Sequence, residues 1–158
     1  MKELTDKQIA AYFHRSYTAA DGLWFMKVEE KCGFDTALEI DDQVWKVLPK
    51  IQARMLKSML LLDEGMEGLG ESIETRLALE GFEFKAEKGN CDLRVFIERC
   101  PWHELMVKSG REHLSEKVSS LICRMENSVW ASEFGDISFE LDEQICKGSE
   151  RCVLRFGL

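Results

Sequence analysis

Gly81-Phe82-Glu83-Phe84-Lys85-Ala86-Glu87-Lys88-Gly89-Asn90-Cys91-Asp92-Leu93-Arg94-Val95-Phe96-Ile97 is the stretch on which the fold turns. Phe82-Glu83-Phe84-Lys85 alternates apolar with charged residues, and the apolar-rich run Asp92 to Ile97 follows across Lys88-Gly89-Asn90. A period of two places every second side chain on one face of a pleated strand. Two such runs joined through Gly-Asn predict a β-hairpin. Pro101 closes the second strand, and its fixed φ suits the first turn of a helix. That helix is expected from about Trp102 to Trp130, with a break at Gly110. Alternation returns at Ile137, Phe139 and Leu141. Lys147-Gly148-Ser149 makes a turn, and Val153-Leu154-Arg155-Phe156 completes a ββαββ order.

Upstream the period lengthens to that of helices. Thr5-Asp6-Lys7-Gln8 spells a capping box, in which a hydroxyl and an amide satisfy free backbone donors at a helix start. Ile9, Ala10, Tyr12, Phe13 and Tyr17 follow at helical spacing; Asp21-Gly22 predicts an interruption, with Asp21 capping a second helix that Gly33 ends. A third helix is expected from about Asp35 to Leu62, kinked or divided near Leu48 because Pro49 lacks a donor and crowds the preceding turn. Gly65, Gly68 and Gly70 predict a flexible joint before a fourth helix near Glu71 to Leu79. The expected architecture is α+β, helices packed on a short antiparallel sheet. It forms one domain over 1–158, with a helical segment 1–80 and a ββαββ segment 81–158.

Composition narrows the function. The chain has 158 residues, 45% hydrophobic and 32% charged, with a formal net charge of −8. That charge argues against a nucleic-acid partner, which needs a basic face, and no cluster of Lys or Arg stands out. No apolar run approaches the roughly 20 residues of a membrane span. The opening Lys2, Glu3 and Asp6 lack an export-type apolar stretch, so a cytoplasmic location is expected. Six cysteines in such a chain read as thiols or metal ligands rather than disulfides.

The cysteines concentrate in the final third: Cys100-Pro101-Trp102-His103, then Cys123, then Glu143-Gln144-Ile145-Cys146 and Cys152. Glu143 and Cys146 at a strand end and Cys152 beyond a Gly turn can face one point, and Cys123 on the preceding helix can complete a four-ligand shell. Thiolate, imidazole and carboxylate are the ligands of zinc and iron sites. Buried structural cysteines with a surface glutamate are the plain alternative. Cys100 at a helix cap, where the dipole favours a thiolate, and His103 one turn on could act as nucleophile and base or share a metal, or equally be a buried cysteine and a surface histidine. Asp21, Trp24 and Phe25 suit a pocket with apolar walls and one polar anchor, or equally a cap followed by core residues. Trp45, Trp102 and Trp130 are expected in a core or interface, Met55 and Met59 in core packing, and His14 and His113 toward solvent. Glu126, three residues after Cys123, shares its helix face.

The segment from about Leu79 to Leu158 resembles the 4-vinyl reductase-type small-molecule-binding domain, which ends in an acidic residue, a cysteine, a Gly turn, a second cysteine and an apolar strand. That resemblance implies zinc held by Cys123, Glu143, Cys146 and Cys152. Across nearly the whole chain, Tyr17-Thr18-Ala19-Ala20-Asp21-Gly22-Leu23-Trp24-Phe25, Cys100-Pro101-Trp102-His103 and the terminal cysteine pair resemble a family grouped with L-2-amino-thiazoline-4-carboxylic acid hydrolase. Together these imply a metal-containing sensor or carrier of a small molecule, its pocket between the N-terminal helices and the sheet, and a homodimer. One alternative is a hydrolase of a C–N or C–S bond in a small heterocycle, acting through Cys100 and His103. A second is an iron–sulfur or haem protein using the same side chains.

Overall fold

A computed structural model describes residues 3–158; Lys2, part of the N-terminal reading above, lies outside them. The elements in chain order are α1 (Asp6–Cys32), α2 (Phe34–Trp45), α3 (Leu48–Leu60), α4 (Met66–Glu80), β1 (Glu83–Lys88), β2 (Asp92–Arg99), α5 (Pro101–Lys108), α6 (Glu112–Ser132), β3 (Ser138–Glu143) and β4 (Cys152–Gly157). A one-turn 3₁₀ helix, Ile145–Lys147, precedes β4. The fold is α+β. The chain divides into two compact units, residues 1–43 and 44–158, so the division falls inside α2.

The first unit opens with the capping box: Gln8 N–H donates to Thr5 Oγ1 at 3.3 Å, and Thr5 N–H donates to Gln8 Oε1 at 2.9 Å. The expected interruption at Asp21-Gly22 is absent, because α1 runs unbroken for 27 residues. A single interior glycine costs a helix only about 1 kcal/mol, and Gly22 adopts no positive φ. Asp21 is therefore an interior helix residue and not a cap. Gly33, at φ 86°, ends α1 by donating to the Glu29 carbonyl at 2.8 Å.

In the second unit the sheet order is β1-β2-β4-β3, with every neighbouring pair antiparallel. Register sets Ala86 opposite Val95, Val95 opposite Leu154, and Leu154 opposite Leu141. The same rule lines up Phe84, Ile97 and Cys152. One face of the sheet is thus apolar across all four strands, and Leu93, Val95, Leu154 and Phe156 on it are buried. The opposite face carries Lys85 paired with Glu98 and Arg155 paired with Glu140.

Helices α4 and α6 supply Leu69, Ile73, Leu77, Trp130 and Ala131 to the core that covers the apolar face. Trp130 is fully buried and donates its indole N–H to Ser72 Oγ at 3.0 Å, which satisfies its one polar atom. The three glycines expected as a joint do something else. Gly65 starts α4 at φ 102°, while Gly68 and Gly70 lie inside it and are buried. A Cβ on Gly68 would stand 2.0 Å from the Asp63 carbonyl oxygen, so this helix start is close-packed rather than loose.

Pro49 sits in the first turn of α3, where its missing donor costs nothing, and divides the expected long helix in two. Met55 and Met59 point to solvent, against the expectation of core packing; α3 buries Pro49 and Ala53 instead. Lys46, Lys50, Arg54 and Lys57 form a local basic set on and beside this helix that the overall acidity conceals. Arg54 is partly neutralised by Glu133 at 2.6 Å.

Candidate thiol and carboxyl site

Ile73, Arg76, Leu77 and Glu80 occupy one face of α4 at helical spacing, so two ionisable residues fall within the buried pattern. Cys123, Glu126, Asn127 and Trp130 do the same on α6. Between them Arg76 is 4% exposed. Its Nη1 stands 2.6 Å from Glu126 Oε1, its Nη2 donates to Asn127 Oδ1 at 3.0 Å, and its plane lies 4.7 Å from the Trp130 ring centre. Asn127 in turn donates to the Cys123 carbonyl at 2.7 Å. Trp102, at the start of α5, reaches Glu80 Oε2 at 3.5 Å and stacks edge-on against Trp45 at 6.2 Å.

Burial governs the protonation of these groups. It raises Glu126 to about 7, with Arg76 opposing the shift and Glu80 adding to it. Glu80 is likewise raised, by burial first, against the pull of Arg76. One guanidinium is shared by two buried carboxyls, and it cannot hold both ionised at low cost.

Four thiols lie on four different elements beside this cluster. Cys100 is the N-cap of α5, Cys123 is on α6, Cys146 is in the 3₁₀ turn, and Cys152 begins β4; all four are free and partly buried. Burial pushes Cys123 well above the ordinary thiol range, and charges on Glu126, Cys100, Cys152 and Cys146 push it further. Burial likewise raises Cys100 to about 11, although the His103 backbone N–H, 3.5 Å from its sulfur, pulls the other way. Cys152 is raised by burial and accepts from Ile145 N–H at 3.3 Å. Cys146 is raised by burial, against a hydrogen bond with Ser119. All four are therefore neutral thiols at about pH 7.

The residues singled out from sequence fall in different places. Cys123, Cys146 and Cys152 share one electrostatic neighbourhood with Cys100 and Glu126. Glu143 is half-exposed and stands 3.9 Å from Arg151. His103 Nδ1 is 2.8 Å from Ser115 Oγ, so this buried hydroxyl orients the ring. The thiolate-favouring cap expected at Cys100 is outweighed by burial, which leaves it protonated. Asp21, Trp24 and Phe25 lie on α1 in the first unit. Asp21 is raised by burial, Trp24 is exposed, and Phe25 packs edge-on against Phe34 at 5.8 Å. Sequence reasoning missed Arg76, Glu80 and Asn127; charged residues in phase with Ile73 and Leu77 were the signal for the first two.

The donor chemistry suits a soft metal ion. Sulfur ligands must lose their protons to bind, and a cation would offset the burial, and the neighbouring charges, that hold the proton on Cys123. Among the described residues no three His, Cys, Asp or Glu side chains are already gathered closely enough to hold a metal.

The architecture is that of an α+β protein with a buried cluster of thiols, carboxyls and one guanidinium between helices and sheet. The chain belongs to a family of unknown function, DUF6125, whose family model matches residues 3–145. Cys100, Cys123 and Glu126 lie within that match, and Cys146 and Cys152 lie beyond it. No curated protein matches the chain significantly. No helix among the described residues is long and apolar enough to cross a membrane.

Proposed function

We propose that this protein binds a thiophilic metal ion, zinc foremost, and uses the site to hold a small molecule as a sensor or carrier. The observation that supports this reading is that Cys100, Cys146 and Cys152, free and on three other elements, all act electrostatically on the buried thiol of Cys123. Cys123, Cys146 and Cys152 are the sulfur ligands, and Cys100 is better placed than Glu143 for the fourth position. A filled sulfur shell would tie α5, α6 and β4 together and order the wall of the Arg76–Glu126 cluster. Cobalt(II) titration tests it: the expected result is one equivalent bound with a sulfur-to-cobalt charge-transfer band, lost in Cys123→Ser. Titration without that band removes the metal from the reading, and brown protein as isolated would favour iron–sulfur.

One observation favours a second reading, a hydrolase of small cyclic C–N or C–S bonds. Glu126 titrates at about 7, where a general acid or base works best, and its charge is felt at Cys100. In that reading Glu126 takes the Cys100 proton as the sulfur adds to the ring C=N carbon and pushes the π electrons onto nitrogen; collapse breaks the ring C–S bond, the departing sulfur takes the proton back from Glu126, and water then hydrolyses the isothiourea link to Cys100, leaving a urea and the free thiol. Ring opening of 2-amino-thiazoline-4-carboxylate by the wild type, lost in Cys100→Ser, would support it; equal rates in both would end it.

A further inference from the structure

We infer that Cys146 and Cys152 form a reversible disulfide, closed and reopened by exchange with small disulfides and thiols. The four partly buried thiols are free, and they differ in how firmly the backbone holds them. Cys100 caps α5 and accepts from the His103 N–H, while Cys123 lies midway along the 21-residue α6. Neither can shift without moving a helix. Cys146 and Cys152 instead flank one short turn, and that turn lies wholly in the second unit.

β3 and β4 pair as far as Glu143 opposite Val153, which leaves residues 144–151 to turn the chain before Cys152 opens β4. The turn is tightly wound. The Gln144 carbonyl accepts from Lys147 N–H at 3.0 Å and from Ser149 N–H at 3.2 Å, and Gly148 reverses the chain at φ 89°. This winding folds the 3₁₀ turn back over the strand end, where Ile145 N–H donates to the Cys152 sulfur at 3.3 Å. That sulfur therefore adjoins the residue bonded to Cys146. Bridging needs Cα atoms about 4.4–6.8 Å apart, which here asks for rotation of the Cys146 side chain and slight give in a one-turn helix. Cys146 has a competing partner, because its thiol hydrogen-bonds with Ser119 on α6. The choice lies between Ser119, which ties the turn to α6, and Cys152, which ties it to β4.

The exchange balances with a small disulfide as oxidant. The Cys146 sulfur gives up its proton and attacks one sulfur of the reagent; the S–S bond breaks, and the leaving thiolate takes the electron pair and a proton. Cys152 then loses its proton, attacks the Cys146 sulfur of the mixed disulfide and expels the second small thiol. Two electrons and two protons pass from the cysteine pair to the reagent, and two small thiols reverse both steps. The consequence for the site rests on the metal reading above. Cys146 and Cys152 are two of its sulfur ligands, and a bridged pair has no thiolate to offer. The turn then gates the metal, held while the pair is reduced and released when it is oxidised.

Equilibrating the full chain in glutathione buffers of graded redox poise, then quenching with acid and mapping tryptic peptides by mass, tests the proposal. Trypsin cuts after Lys147 and Arg151, so the bridge should appear as one pair of linked peptides, absent in Cys146→Ser. Ser119→Ala should shift the equilibrium toward the disulfide by roughly three-fold, the worth of one weak hydrogen bond lost from the reduced form alone. No bridge even in fully oxidised glutathione, a bridge that chiefly joins Cys100 or Cys123, or an equilibrium that Ser119→Ala leaves unmoved or reverses would overturn it. Cobalt(II) separates this inference from the metal reading. Bridging that abolishes the charge-transfer band supports both; bridging in a chain that never shows the band removes the metal and leaves the disulfide standing. A band that persists in the bridged protein refutes the gate.

Discussion

Helices α1 and α4 make an instructive pair. Neither concentrates its apolar residues on a single sharp stripe, yet α1 buries none of its 27 residues while α4 buries eight of 15. The difference comes from what each helix meets. Small residues at Gly68, Gly70 and Ser72 let α4 lie close to its neighbours, so Leu69, Ile73 and Leu77 reach the sheet core. On α1 the small residues Ser16 and Ala20 are exposed, as are Tyr12, Phe13 and Trp24. Close approach, more than hydrophobicity, decides which helix becomes interior.

Truncations give the sharpest contrast. Ile73→Ala or Leu77→Ala on α4 should cost about 2–5 kcal/mol, transfer plus cavity. Leu23→Ala on α1, at a 54% exposed position, should change unfolding by less than about 0.5 kcal/mol in chemical denaturation. Comparable losses on the two helices would erase the distinction.

Buried charge offers the next test. The folded protein keeps the Glu126 proton up to about pH 7, whereas an ordinary carboxyl near 4.5 has lost it. Folding therefore takes up a proton in that window, and stability should fall as pH rises from about 4.5 to 7, by on the order of 2 kcal/mol. Glu126→Gln should flatten that slope. A wild-type stability rising across the window would contradict the burial of Glu126.

The smallest effect concerns one hydrogen bond. Ser72→Ala removes the acceptor for the fully buried Trp130 indole and should cost about 1–2 kcal/mol in thermal or urea unfolding. A neutral result would mean that water reaches Trp130.

Much of the architecture was legible because it rests on period and punctuation. Alternation at Phe84, Leu93, Val95, Leu154 and Phe156 marked the sheet, Pro101 the start of α5, and Thr5 with Gln8 that of α1. The errors arose where a local preference was weaker than its surroundings. Gly22 was tolerated within a long helix, and Met55 and Met59 have a helical period that does not say which side faces the core. Gly68 was read as freedom when the nearby Asp63 carbonyl demands a missing side chain. At the site, the cysteines announced themselves by type. Arg76 and Glu80 did not, because a charged pair on a helix usually faces solvent, and only tertiary packing shows these two turned inward.

The strand order carries a consequence for biogenesis. β2 is an inner strand whose second neighbour, β4, follows it only after the whole stretch from Cys100 to Arg151. While a ribosome is making that stretch, the nascent β1–β2 hairpin exposes the unpaired edge and apolar face of Leu93, Val95 and Ile97. Such an edge invites pairing with other nascent chains, so translation speed and chaperone occupancy along this interval should govern the yield of native protein.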